Sequence, residues 1–294
     1  MIRALFFVLS FLLLDIHAKD EIRFGVFAYA GYERTKKRYE PLIRYINEHF
    51  DKKVVLEVLS QAQMNKKIAS RELDIATTNP VHFLVIRQKE KLSGALATLV
   101  STDGTLHTDK LGGVIIVRRD SPINSIYDIK NKTIATPSTK HMGGFRAQAY
   151  ELYKMGESIE KNSNTVLELH SSHKDVVKAV LEKKADVGFI RDAILENMIN
   201  NGEIKKSDIK IINQKRDTIH PFMLSTSLYP EWPVFALPNA DEEDIKNLLG
   251  VLLSLKPTPE LIKRSNIYGY TLPADYLSVE ELSRDLRLPP FDNI

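Results

Sequence analysis

Two stretches of this chain share a layout and end in residues able to hold a small anion. In the first, Asp74-Ile75-Ala76 leads into Thr77-Thr78-Asn79 and then Pro80; in the second, Asp186-Val187-Gly188-Phe189-Ile190 leads into Arg191-Asp192. The two aspartates lie 112 positions apart (186 − 74), each after a basic amphipathic segment. A third polar segment, Ser138-Thr139-Lys140-His141-Met142-Gly143-Gly144, follows the apolar run ending at Ala135. Hydroxyls and free backbone N–H groups at a helix start favour negative charge. His173, which opens a helix after Ser171-Ser172, can donate one hydrogen bond to an oxyanion, and Arg191 can grip one with two. Tyr29 follows the first apolar run, where its ring and hydroxyl can line a cleft. The candidate ligand set is therefore Tyr29, Thr77, Thr78, Asn79, Ser138, Thr139, Lys140, Met142, Gly143, His173, Arg191 and Asp192.

Each piece also has a plainer reading. Short Ser/Thr/Asn segments cap helices; Arg191 can form a salt bridge with Asp192; Tyr29 and Trp232 can be packing residues. The chain contains no Gly-x-Ser-x-Gly, His-Glu-x-x-His, Gly-x-Gly-x-x-Gly or phosphate-loop pattern. Its eight histidines show no metal-ligand spacing. No metal or cofactor is expected. An enzyme using Asp192, His173 and Tyr29 for acid–base work is the alternative to a binding protein.

The elements that must position these residues alternate strand and helix. Ile22 to Phe27, Val54 to Leu59, Asp74 to Thr77, Ala95 to Val100 and Gly113 to Val117 read as strands. Helices are expected over Tyr39–Phe50, with Pro41 near its start, from Ser60 to Ser70, and over Val81–Lys89. A second block has strands ending at Ala135, over Thr165–Leu169, from Asp186 and over Ile209–Ile212, with helices to about Met155 and from His173. Phe222 to Thr226 reads as a further strand, and Asp241 caps a helix to Leu255. No low-complexity linker separates the blocks, so the expected fold is α/β with two lobes joined by crossing strands. The expected division is 19–116 plus 218–294 for the first lobe and 117–217 for the second. Ligands of such sheets bind beyond the strands' carboxyl ends.

Composition narrows the setting. The chain has 294 residues, 43% hydrophobic and 27% charged, with a net charge of +3, which is globular. No basic run is interleaved with aromatics, so nucleic acid is not an expected partner. Arg3 precedes an 11-residue apolar run, Ala4 to Leu14, which is too short to span a bilayer comfortably. Residues 1–18 are expected to be a signal peptide cut near Ala18, with an uncleaved anchor as the alternative. There is no cysteine, which excludes disulfides and thiolate sites and suits an exported protein of a Gram-negative periplasm. A monomer is expected.

Taken in order, several segments resemble the periplasmic phosphate/phosphite/phosphonate-type solute-binding proteins of ABC transporters. The likeness extends to the subgroup forming the sensor domains of tetrathionate-type histidine kinases. The carrying residues are Leu73-Asp74-Ile75-Ala76-Thr77-Thr78-Asn79-Pro80, Tyr127-Asp128-Ile129-Lys130-Asn131-Lys132, Pro137-Ser138 through Gly143-Gly144-Phe145, Ser172-His173-Lys174-Asp175-Val176-Val177, Asp186 to Arg191 with Leu195-Glu196, and Tyr229-Pro230-Glu231-Trp232-Pro233. The resemblance covers Ile22 to about Pro290. It implies a type II periplasmic binding protein with crossing strands near Val114–Arg118 and Ile212–Phe222 as hinge. The implied ligand is a small oxyanion, held by Ser138, Thr139 and His173. The implied partner is a permease or a sensor histidine kinase on a separate polypeptide. Where the family has a Ser-Thr-Ser-Gly type of loop, this chain has Ser138-Thr139-Lys140-His141-Met142-Gly143-Gly144, which leaves the ligand's identity open.

Overall fold

The computed structural model describes residues 21–293; the expected signal segment lies outside them. Among the described residues no helix is long and apolar enough to cross a membrane. The first pass builds one α/β lobe from β1 (Glu21–Phe27), α1 (Tyr32–His49), β2 (Lys53–Leu59), α2 (Gln61–Ala69), β3 (Ile75–Thr77), α3 (Pro80–Glu90), β4 (Ala97–Thr102) and β5 (His107–Thr108). After β6 (Lys110–Leu111) the second lobe takes β7 (Gly113–Arg118), β8 (Thr133–Thr136), α4 (Ala147–Lys154), β9 (Thr165–Glu168), α5 (His173–Leu181), β10 (Val187–Arg191), α6 (Ile194–Asn200) and β11 (Ile209–Ile212). The chain then returns through β12 (Tyr229–Pro230) to β13 (Pro233–Ala236), α7 (Glu242–Leu253), β14 (Ile267–Thr271) and α8 (Leu277–Asp285).

The first sheet has the order β14-β4-β13-β3-β1-β2, with β5 added to β4; the second has the order β11-β7-β10-β8-β9. Both are buried on two faces, which explains their continuous apolar runs. In β7, Val114 and Ile116 enter one core cluster while Ile115 and Val117 enter another. The repeated aspartates have the same local duty in both lobes. Asp74 accepts from the Arg23 backbone N–H at 2.9 Å, and its own N–H donates to the Arg23 carbonyl at 3.1 Å. Asp186 does the same with Thr133, at 2.9 and 3.0 Å. Each aspartate therefore starts a strand in parallel register with its neighbour and aims that strand's far end at the cleft.

Three expectations on the elements are corrected. Helix α1 starts at Tyr32, with Pro41 in its interior; Gly31, at φ 85°, makes the entry turn that a side chain would disfavour. Thr35, Tyr39, Leu42 and Ile46 are buried at helical spacing, and this long apolar stripe holds the helix through the proline. Residues 222–226 form no strand. Side chains replace its ladder: Ser225 Oγ accepts from the Ile115 N–H at 2.9 Å and donates to the Ile212 carbonyl at 2.7 Å, and Thr226 Oγ1 accepts from the Gly113 N–H at 2.8 Å. Those bonds tie 225–226 to the second sheet, and β7 joins that sheet whole. The crossover thus runs through the antiparallel pair β6–β12, several residues from the expected crossing segments.

Candidate functional site

A cavity of about 500 Å³ opens between the lobes. On the first-lobe side, Phe27 and Trp232 stack with ring centres 6.0 Å apart, and Tyr29 meets Trp232 edge-on at 5.2 Å. Arg38, on α1, lies beside this aromatic wall; its Nε donates to the Ser265 carbonyl at 2.6 Å and its Nη1 to the Tyr29 hydroxyl. Asn79 caps α3, its Oδ1 accepting from the His82 N–H at 3.1 Å. Its buried Nδ2 has no partner among the described residues, and Asn79 lines the cavity. Thr77 and Thr78 are buried behind this wall, with Thr78 Oγ1 2.9 Å from His82 Nδ1.

On the second-lobe side the cavity meets His141, Met142, Gly143, Gly144, His173, Arg191 and Asp192. Met142 and Gly143 belong to a single wide helical turn, Met142–Arg146, that precedes α4. The buried Gln148 amide clamps that turn, donating to the carbonyls of Gly143 and Ile190 at 2.8 Å each. His173 Nδ1 accepts from the Arg191 backbone N–H at 3.2 Å, so the neutral ring carries its proton on Nε2. Burial, with His141 and Arg191 beside it, holds the His173 pKa well below the usual histidine value. The ring therefore acts as a neutral donor. His141, 5.8 Å away by ring centres, is pushed down to about 4 by burial and the nearby Arg146 charge.

The Arg191 side chain bridges the lobes. Nε donates to Asp192 Oδ1 at 3.1 Å, and Nη2 reaches Glu231 Oε1, ahead of β13, at 2.7 Å. Both carboxylate side chains are fully buried. Burial opposes the guanidinium charge, yet Glu231 and Asp192 raise its pKa above the ordinary arginine value. His220 Nε2 lies 2.8 Å from the other Asp192 oxygen.

Gly143 makes this packing possible. A Cβ there would stand 2.8 Å from Arg191 Cβ and 2.9 Å from the Gly112 carbonyl oxygen. Because the second neighbour is crossover backbone, Gly143→Ala is expected to lower stability by about 1–3 kcal/mol. Urea unfolding checks this; an unchanged midpoint would mean that the turn moves freely.

The family model for ABC transporter, phosphonate, periplasmic substrate-binding proteins matches residues 24–276. The chain belongs to this family. A relative outside transport, the tetrathionate sensor histidine kinase TtrS of Salmonella typhimurium, is 27% identical over 269 residues. That match covers 90% of this chain and 44% of the kinase, so the chain spans less than half of that relative. Among solved structures, PhnD1 of Prochlorococcus marinus in complex with methylphosphonate superposes with a TM-score of 0.71 at 17% identity, covering 91% of this chain and 98% of that one. A binding protein component of an ABC phosphonate transporter from Pseudomonas aeruginosa gives 0.67 at 18% identity, covering 91% and 87%. These likenesses show the fold, that of a type II periplasmic binding protein.

In this phosphonate-family member the Ser138–Lys140 segment does not line the cavity. Its donors already hold an anion, the chain's own Glu168. Thr139 donates to that carboxylate through its backbone N–H at 3.0 Å and its hydroxyl at 3.2 Å, and Ser138 Oγ is 3.4 Å away. Lys140 is exposed. Sequence reasoning passed over Arg38 because helix α1 was expected to begin one residue beyond it, and weighed Trp232 only as a packing anchor. The Arg34/Arg38 spacing of four was the legible sign, once α1 is started at Gly31. Among the described residues no group of three His, Cys, Asp or Glu could hold a metal ion.

Proposed function

We propose that this chain captures a small oxyanion between its lobes and presents it to an ABC transporter permease or a sensor histidine kinase. The observation that carries this reading is that Asn79 and His173 line one cavity from opposite lobes, each with a donor, Nδ2 and the Nε2 proton, that has no hydrogen-bond partner among the described residues. A ligand touching both lobes favours the closed arrangement by the difference in its contacts. Tyr29, Met142, Gly143, Arg191 and Asp192 complete the lining, with Thr77 and Thr78 supporting it from behind. Ser138, Thr139 and Lys140 contribute by ordering the turn that presents Met142 and Gly143. The chain acts as a binding protein in a periplasm and releases its ligand unchanged.

Isothermal titration against phosphate, phosphite, methylphosphonate, sulfur oxyanions and arsenic oxyanions tests the reading. The names of the relatives place methylphosphonate and tetrathionate first. At least one is expected to bind and to be recovered intact; binding by none would sink the anion claim, and turnover would favour an enzyme. His173→Ala is expected to weaken binding by about tenfold or more, the value of one buried charge-assisted hydrogen bond. Unchanged affinity would remove His173 from the site.

A further inference from the structure

The charges lining the cavity are unequally satisfied. In the second lobe Arg191 is matched by Asp192 and Glu231, and Lys174 pairs with Glu203. The first lobe is different. Arg38, Arg34 and Lys263 all line the cavity, and none has an ion-pair partner among the described residues. Of the carboxylates lining the cavity, Asp192 and Glu231 are taken by Arg191, and Asp103 accepts the N–H groups of Thr105 and Leu106 at 2.8 Å each, within its own turn. Arg38 is also held still. Two of its donors are fixed on the Ser265 carbonyl and the Tyr29 hydroxyl, which leaves the rest of a five-donor fork pre-aimed. Across the cavity, His173 and the Gly143-Gly144 turn supply polar groups from the second lobe. Trp232, Phe27 and Leu111 give the lining its apolar surface.

A cavity of about 500 Å³ is of the size that holds organic ligands rather than a bare tetrahedral ion. Arg38 and Arg191, which both line it, carry like charges that oppose each other, a repulsion that an anionic ligand relieves. We propose that the first lobe carries its own anion subsite centred on Arg38, so that the ligand is an elongated dianion. One acid group would sit at Arg38 and the other at His173, with the uncharged middle against Trp232. This rests on the oxyanion reading above.

The test compares one-headed with two-headed anions by isothermal titration: methanesulfonate against ethanedisulfonate, propanedisulfonate and tetrathionate. At least one two-headed anion is expected to bind about tenfold or more tightly than methanesulfonate, the value of one added charge-assisted contact. In Arg38→Gln that ratio is expected to collapse toward unity. Arg38→Lys, which keeps the charge and loses the fork, is expected to keep part of it; thermal unfolding without ligand shows that each variant folds. Equal affinity of one-headed and two-headed anions in the unsubstituted protein, or a ratio that survives Arg38→Gln, would overturn the subsite and leave the oxyanion reading standing. Binding of none of these four anions would overturn the subsite, and binding of none of the wider panel above would bring down the oxyanion reading with it. If Arg38→Gln does not fold, the ratio in the unsubstituted protein and its change in Arg38→Lys decide.

Discussion

Arg191→Ala is expected to destabilise the protein by about 3–5 kcal/mol. The reason lies in what the substitution leaves behind. Asp192 and Glu231 are fully buried carboxylates, and Arg191 stands between them at 3.1 and 2.7 Å. Removing the guanidinium leaves the Glu231 carboxylate with only the Trp232 N–H, at 3.3 Å, among the described residues. Asp192 loses its ion pair as well, so both buried carboxylates are left without a cation. That separates two experiments. Arg191→Ala alone should lower the urea midpoint steeply, whereas Arg191→Met combined with Glu231→Gln should recover much of the loss, because a neutral amide needs no counter-charge. Binding should fall in both, since the bridge joins the second lobe to the residue beside Trp232. A single-variant loss under about 1 kcal/mol would mean that the carboxylates are hydrated or protonated in the native state, contrary to the burial seen.

The fold was legible where a local rule and a tertiary contact agree. Ser60 with Gln63 forms the reciprocal cap of α2, with bonds of 3.2 and 2.9 Å, and such a pair can be read four residues at a time. The duplicated aspartates were legible as a pattern, although their duty, a bond to the neighbouring strand's backbone, needs the sheet. Where non-local partners decide, the sequence misleads. Residues 222–226 look like a strand because the apolar run Phe222-Met223-Leu224 leads into Ser225-Thr226, but Ser225 and Thr226 give their hydroxyls to β7 and β11 instead. Ser138 and Thr139 have the composition of an anion loop, and their anion turned out to be Glu168, thirty and twenty-nine positions away. Nothing local distinguishes an internal carboxylate from an external oxyanion. Arg38 was hidden by a proline rule: Pro41 draws a helix start to itself, and only the buried stripe from Thr35 shows that α1 begins earlier.

Stability is also expected to fall between pH 6.5 and pH 4, a window whose upper part lies above the range where ordinary carboxylates titrate. His82 is held uncharged by burial and the Arg146 charge, its pKa lowered to about 4, and its ring nitrogens lie 2.9 Å from Thr78 Oγ1 and Asn65 Oδ1. His141 is lowered to about 4 by burial, Arg146 and Arg191, against the pull of Glu168; His173 is held well below the usual value by burial, His141 and Arg191. Unfolded, each titrates near the ordinary value of 6.5. In that window the unfolded chain binds protons that the folded chain refuses, so stability is full above pH 6.5 and is lost as pH falls toward 4. The slope is about 1.4 kcal/mol per pH unit for each histidine that stays neutral in the fold. Below pH 4, His82 and His141 add no further slope. Urea unfolding at a series of pH values measures this, and His82→Gln should flatten the curve by about one proton. A bound oxyanion beside His173 favours its charged form, so ligand should bind with proton uptake in the same window and offset part of the acid loss. A flat profile from pH 7 to pH 4.5 would mean that these rings are protonated in the fold. They would then face a ligand as charged donors, and the second lobe would carry positive charge of its own beside Arg191.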